Sequence, residues 1–259
     1  MLEYRHVSVS CQRTPVLEDI SVSFPAGKIT VIVGPNGCGK TTLLQCLNGV
    51  SQVTGGSIFL KGQDYLKLSP RERARTLSFL PQVRTIIPAL PVKTLVEHGR
   101  FPYLGFARKK SPKDMAIVRH AMEFAQVSEY AHQYVDTLSG GVRQRVFFAM
   151  ALAQDCNLMV LDEPTTYLDL PGQKEFLHML EILREEGKTI ILTLHDLNHA
   201  VRIADQLVVM GACTPTPQGR KIAAWGAPGD CLKRHILEEV FHTKYKKFED
   251  QEGAYYFFI

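Results

Sequence analysis

The chain has 259 residues, 45% of them hydrophobic, with a formal net charge of +4. That is enough apolar material for one large domain, or a main domain with subdomains, and too little excess charge to make nucleic acid its main partner. Its longest apolar runs, such as Ile29 to Val33 and Leu158 to Leu161, fall far short of the ~20 residues that cross a bilayer, and Met1-Leu2-Glu3-Tyr4-Arg5 lacks the form of a signal peptide, so a cytoplasmic chain is expected.

Residues 1 to 80 read as strands: Tyr4 to Ser10, Val16 to Phe24, Ile29 to Val33 and Ser57 to Leu60 are short β-prone runs, bounded by turns at Pro25-Ala26-Gly27 and Thr54-Gly55-Gly56. Within them lies Gly34-Pro35-Asn36-Gly37-Cys38-Gly39-Lys40-Thr41, preceded by the apolar Ile29 to Val33 and followed by the helix-compatible Thr41 to Leu47, Thr42 included. Strand, glycine-rich loop and helix is the context a phosphate-binding loop needs. Glycines let successive N–H groups turn toward an anion, the helix N-terminus adds its dipole, the Lys40 ammonium reaches the outer phosphates and the Thr41 hydroxyl suits Mg²⁺. ATP binding, with hydrolysis, is the expectation. Six cysteines, Cys11, Cys38, Cys46, Cys156, Cys213 and Cys231, form no CxxC pair and read as free thiols in a reducing compartment, Cys38 standing out as a candidate reactive thiol.

Gln82 ends the run Phe79-Leu80-Pro81, where its amide could reach a metal or an attacking water. Residues 83–137 are punctuated by prolines and then helical, Asp114 to Ala125 carrying apolar residues at helical spacing, and read as an inserted helical subdomain. Next comes Leu138-Ser139-Gly140-Gly141-Val142-Arg143-Gln144-Arg145, read as a second anion nest at a helix start. One loop already serves one nucleotide, so a second nest is most economically explained by the γ phosphate held by another copy of the chain.

From there helix and strand alternate: Val142 to Gln154, Leu158 to Leu161, Pro171 to Glu186, Thr189 to Leu194, Asp196 to Ala204 and Gln206 to Met210. A parallel sheet flanked by helices follows, with ligands gathered at the carboxyl ends of its strands. Asp162 and Glu163 end one such strand, where Asp162 can hold Mg²⁺ and Glu163 can polarise a water. His195 ends another; its i, i+4 spacing to His199 suits a metal only on a helix, whereas His195 belongs at a strand-to-helix junction. The tail offers a helix over Asp230 to Phe241 and an aromatic end, Ala254-Tyr255-Tyr256-Phe257-Phe258-Ile259, read as an edge strand with Lys244 to Glu252 as its turn.

Taken together, these residues resemble the ATP-binding subunit of an ABC transporter over nearly the whole chain, with the motifs in family order. The resemblance implies an α/β P-loop NTPase: a RecA-like parallel sheet flanked by helices (residues 1–82 and 138–259), an N-terminal antiparallel β-subdomain and the helical subdomain 83–137. Lys40 and Thr41 would belong to Walker A, Gln82 to the Q-loop, Ser139 to Gly141 to the signature, Asp162 and Glu163 to Walker B and the catalytic base, Asp169 to the D-loop, and His195 would be the switch histidine. Two copies would sandwich two ATP·Mg²⁺ head to tail and drive permease subunits fed by an extracytoplasmic binding protein, at the cytoplasmic face of the membrane. Leu66 to Gln82, Gly99-Arg100-Phe101-Pro102-Tyr103 and Thr165-Thr166-Tyr167-Leu168-Asp169-Leu170 are similar to importers of iron-siderophore complexes, haem and cobalamin. Where the family usually stacks an aromatic residue on adenine, this chain has Cys11-Gln12-Arg13; a guanidinium stacks on a base, so Arg13 is the candidate contact, a solvated loop arginine being the alternative. Val142 stands where an acidic or amide residue is common. Other classes remain open: a non-transport cassette in translation or DNA repair, which usually pairs cassettes or carries coiled-coil inserts; a small-molecule kinase, for which the signature would be superfluous; or an importer of another cargo such as molybdate.

Overall fold

The computed structural model describes residues 1–11, 14–82, 87–105, 109–211, 221–250 and 253–259. They divide into two compact units, Met1–Lys67 with Thr189–Ile259, and Leu68–Lys188.

The first unit begins with β1 (Leu2–Cys11), β2 (Thr14–Phe24), β3 (Ile29–Val33), α1 (Lys40–Asn48), β4 (Val53–Leu60) and β5 (Gln63–Asp64). The second holds α2 (Pro70–Thr76), β6 (Leu77–Leu80), α3 (Val92–Glu97), α4 (Pro112–Phe124), α5 (Gly140–Ala153), β7 (Leu158–Leu161) and α6 (Leu170–Glu185). The chain then returns to the first unit through β8 (Thr189–Thr193), α7 (Leu197–Ile203), β9 (Gln206–Met210), β10 (Ile222–Gly226), α8 (Pro228–Lys233), α9 (Ile236–Phe241), β11 (Tyr245–Asp250) and β12 (Gly253–Phe258).

In the first unit, β3 lies between β8 and β9 with both pairings parallel, and β10 closes against β9 antiparallel. Every residue of β3 and β9 is buried, as expected of parallel strands covered on both faces. An antiparallel sheet of order β2-β1-β4-β5 forms the N-terminal β-subdomain. Here the expected turn at Thr54-Gly55-Gly56 is absent, because those residues lie inside β4. Gly56 adopts φ +76° where the β1–β4 register shifts between Arg5 and Ser8, and a Cβ on it would sit 2.2 Å from the His6 carbonyl oxygen. The glycine therefore serves a β-bulge, a use that turn-forming composition does not distinguish from a turn.

Two tail expectations are corrected. Residues Asp230 to Phe241 do not form one helix: His235 at φ +57° separates α8 from α9 and donates its N–H to the Leu232 carbonyl. Most of the stretch expected as a turn, Lys244 to Glu252, is strand β11, which pairs with β12 in its own two-stranded sheet. Tyr245 packs its ring against Tyr256 and Phe258 at 5.7 and 5.8 Å.

In the second unit, β6 and β7 pair in parallel from Leu77–Leu158 to Leu80–Leu161. Helix α2 was not anticipated, although its start is written as Ser69-Pro70-Arg71-Glu72: the Ser69 hydroxyl accepts from the Glu72 N–H while the Glu72 carboxylate takes the Ser69 N–H. Ser111 and Asp114 start α4 in the same way, two residues before the expected beginning. Gly99 lets a 3₁₀ turn, His98–Tyr103, lie on the end of α5, since a Cβ there would fall 2.4 Å from the Met150 carbonyl oxygen. Beside it Arg100 is 4% exposed; it donates to Asp114 Oδ1 and to the Ala153 carbonyl, both at 2.9 Å, with its guanidinium 4.1 Å from the Tyr103 ring centroid. The Gly99–Tyr103 stretch is thus the joint between α4 and α5.

Candidate functional site

The phosphate loop and His195 fall in the first unit; Gln82, Ser139, Gly140, Gly141, Asp162, Glu163 and Asp169 fall in the second. Arg13 lies outside the described residues.

The loop from Gly34 to Gly39 joins buried β3 to α1. Gly37 and Gly39 have φ of +74° and +96°, the left-handed conformations that turn successive N–H groups to one side. Gly34 meets the floor of the loop, where a Cβ would lie 2.6 Å from Cys38 Sγ and 2.8 Å from Met210 Cβ. That floor corrects the reading of Cys38 as a reactive thiol, because the residue is 0% exposed. The Lys40 ammonium donates to the Gly34 and Pro35 carbonyls at 2.8 and 3.2 Å, which folds its stem over the loop. Thr41 and Thr42 follow at the surface of the first turn of α1, both part-exposed. Helix α1 is held from behind by two buried tyrosines: Tyr4 donates to the Leu43 carbonyl at 2.9 Å and Tyr65 to the Leu47 carbonyl at 2.8 Å. Burial pushes the Cys46 thiol on the same helix up to about 12.

His195 is exposed and stands between β8 and α7, with Leu194 before it and Asp196, the N-cap of α7, after it. It is on no helical face, so the i, i+4 arrangement with His199 does not arise. Asp196 instead accepts from the Asn198 and His199 N–H groups.

In the second unit the parallel pairing of β6 with β7 brings two strand ends together. Asp162 donates its N–H to the Leu80 carbonyl at 2.8 Å, and two residues past Leu80 the Gln82 amide nitrogen donates to the Glu163 carboxylate. Asp162 and Glu163 are 1% and 7% exposed, and Glu163 adopts φ +49°, uncommon for a residue with a side chain. Thr166 Oγ1 donates to the Glu163 carbonyl at 3.1 Å and lies 3.4 Å from its carboxylate. Strain of this kind is retained where surrounding bonds hold it in place, commonly at functional sites.

Ser139 is the N-cap of α5, its hydroxyl accepting the Val142 N–H at 3.4 Å. Gly140 and Gly141 lie within the first turn of α5 and not in the left-handed conformation. The second feature is therefore a Ser-capped helix N-terminus and not a nest; any anion attraction comes from the first-turn N–H groups and the dipole. Val142 occupies the position that carries Glu72 in α2 and Asp114 in α4, so α5 lacks the returning half of a capping box. A Cβ on Gly140 would meet Tyr167 at an ordinary 3.6 Å, so packing inside the chain does not demand glycine there. Asp169 caps α6 by accepting the Gly172 N–H at 3.0 Å, and Tyr167 and Leu170 on either side of it are 57% and 70% exposed.

One contact was not read from the sequence. Gln144 on α5 is 2% exposed and donates to the Pro164 carbonyl at 2.8 Å. The signal was present: Gln144 shares a helical face with Phe147, Phe148 and Ala151, all buried, and a polar residue on an apolar face needs a buried partner.

Among families, the model described as "ABC transporter" matches residues 17–166. The iron(3+)-hydroxamate import ATP-binding protein FhuC of Bacillus subtilis is 39% identical over 87% of this chain and 82% of its own length. The ferric enterobactin transport ATP-binding protein FepC of Escherichia coli is 37% identical over 91% of this chain and 84% of its own. Among solved structures, a metal-chelate type ABC transporter in an inward-facing conformation superposes with a TM-score of 0.82 at 26% identity, covering 100% of this chain and 96% of the other.

Proposed function

We propose, from the premise that this chain belongs to the ABC transporter family, that it is the ATP-binding and hydrolysing subunit of an importer energising uptake of a metal chelate such as an iron-siderophore complex, haem or cobalamin. The observation that carries the ATPase part is Glu163: a buried carboxylate two residues beyond the end of β7, bonded to Gln82 and Thr166 and in a left-handed conformation. The class of cargo rests on the relatives, which are named for iron(3+)-hydroxamate import, ferric enterobactin transport and hemin import.

In this reading the N–H groups from Gly34 to Thr42 and the Lys40 ammonium hold the phosphates, ATP being converted to ADP and phosphate. Thr41 hydroxyl, Gln82 amide oxygen and Asp162 carboxylate are the hard oxygen donors that suit Mg²⁺, and Asp162 is buried at the strand end. Mg²⁺ would neutralise charge on the β and γ phosphates. Glu163 polarises the attacking water, and His195 contacts the γ phosphate. Ser139, Gly140, Gly141 and Asp169 serve the nucleotide of a second copy, which gives Gly140 the reason for glycine that packing within the chain does not supply. Arg13 is the candidate adenine contact.

No described helix is long and apolar enough to cross a membrane. The proposed assembly, which rests on the importer relatives, is a homodimer attached to the cytoplasmic face of the membrane through permease subunits, served on the far side by a cargo-binding protein, with no nucleic acid partner. Glu163→Gln is the test. It should keep ATP affinity, lose at least ~100-fold in turnover, the scale of losing a properly aligned general base, and co-purify with a polytopic permease from detergent-solubilised membranes. Wild-type turnover would remove Glu163 from its role; recovery of ribosomes or repair proteins in place of a permease would move the chain to a non-transport cassette.

A further inference from the structure

We infer that Gln144 is a positioning residue for Glu163, tying the loop that carries this carboxylate to helix α5, an inference that rests on the role proposed for Glu163.

Pro164 immediately follows Glu163, and Gln144 Nε2 donates to its carbonyl at 2.8 Å from a buried position on α5. Bonds from β6, from α5 and from within the loop therefore hold the Glu163 region. The Leu80 carbonyl on β6 accepts from the Asp162 N–H, the Gln144 amide on α5 donates to the Pro164 carbonyl, and the Thr166 hydroxyl donates to the Glu163 carbonyl. Of these, the Gln144 bond alone comes from the helix whose first turn is Gly140-Gly141-Val142. Gln144 also lines one cavity with Gln82, Arg143, Phe147 and Tyr167, so the side chain that holds Pro164 and the side chain that holds the Glu163 carboxylate share a wall.

The left-handed Glu163 makes this bond matter. A residue with φ near +49° has a lower-energy conformation available, and only the bonds to its neighbours keep the carboxylate aimed where it is. With Gln144 lost, the Pro164 carbonyl loses this donor, and the Pro164–Thr165 peptide, one peptide beyond Glu163, is freer to turn and to carry the Glu163 loop with it. Because α5 opens with Ser139 as its cap, a displacement of the helix start is passed along a rigid rod of little more than one turn to Gln144, and from there to the loop. A single side chain thus connects the segment proposed to meet a partner's nucleotide with the carboxylate proposed to act on the chain's own.

The test uses the full chain assembled with its permease and compares Gln144→Leu and Gln144→Met, which keep the volume and remove the donor, with wild type and Glu163→Gln. Turnover in both Gln144 variants should fall by roughly 10- to 100-fold, the cost of a displacement of about an ångström at a reacting centre. KM for ATP and the ATP dissociation constant should stay within about twofold, since the phosphate loop is untouched. The double variant Gln144→Leu with Glu163→Gln should be no slower than Glu163→Gln alone, because a residue acting through Glu163 has nothing left to position. Wild-type kcat in both Gln144 variants while Glu163→Gln is inactive would overturn the inference and leave the Glu163 role intact. A loss of turnover accompanied by a matching loss of ATP binding, or an additive double variant, would also overturn it by making Gln144 a general packing residue. Full activity of Glu163→Gln would instead sink the role proposed for Glu163.

Discussion

Replacing Arg100 with Met should destabilise the second unit by ~2–4 kcal/mol. Breaking a buried ion pair from one side costs ~3–5 kcal/mol because the partner charge is left behind. Asp114 is 9% exposed, but it keeps the Ser111 N–H and hydroxyl at 2.8 and 2.7 Å, which offsets part of that loss. The Ala153 carbonyl loses a donor at 2.9 Å and Tyr103 loses the guanidinium over its ring, which adds some of it back. At ~2–4 °C per kcal/mol for a domain of this size, a Tm lower by ~4–16 °C is expected in thermal unfolding followed by circular dichroism. The pH dependence has a definite sign. The hydrogen bonds from Ser111, then the Arg100 guanidinium, hold the Asp114 carboxyl down at about 2. A carboxyl lowered on folding contributes stability that is fully present above its unfolded value of ~3.9 and is lost as pH falls through about 2. The gap between wild type and variant should therefore be widest above ~pH 5 and shrink as the medium is acidified below ~pH 4. A Tm within ~2 °C of wild type at neutral pH would refute the account of this joint, since even one lost buried hydrogen bond should exceed that.

Gly56→Ala should lower Tm far more than Gly55→Ala. At Gly56 a Cβ meets the His6 and Arg5 carbonyl oxygens at 2.2 and 2.4 Å with φ +76°, whereas at Gly55 its nearest neighbour is the Ser8 side chain at 3.6 Å. Equal effects in the two variants would dismiss the bulge as the reason for the glycine. In timed alkylation of the native chain with iodoacetamide, mapped by peptide mass spectrometry, exposed Cys11 should react well before buried Cys38, Cys46 and Cys156. Burial also pushes the thiols of Cys46 and Cys156 up to about 12 and about 11, so these two should respond little to pH below ~9, where thiolate normally appears. Labelling of Cys38 as fast as Cys11 would contradict the packed floor of the phosphate loop.

Much of the site was legible because its chemistry is local. The phosphate loop is a run of consecutive residues whose glycines, lysine and threonine act through backbone conformation and one helix start, and both can be read from order alone. Asp162 and Glu163 were legible for a similar reason, since a short apolar strand fixes where its last residues emerge. Other features depended on what lies opposite in space. Thr54-Gly55-Gly56 has turn composition, and only the approach of the His6 carbonyl makes Gly56 part of a bulge. Ser139-Gly140-Gly141 has the composition of a nest, yet a capped helix with the same residues keeps both glycines helical. Nothing local distinguishes these outcomes, because glycine permits both conformations at little cost.

The sequence by itself determined the family, and it pointed to ATP hydrolysis and to the residues proposed to perform it, since those readings follow from residue type at fixed spacing along one chain. Tertiary structure alone decided how Glu163 is held. Its bonds to Gln82 and Thr166, and the Gln144 bond to the Pro164 carbonyl, join the ends of β6 and β7 to α5, and the partners at Gln82 and Gln144 are 81 and 20 residues away from theirs. Such bonds form only once parallel strands are in register and a helix is packed on the pair, so their existence is a property of the packed core and not of any segment read alone.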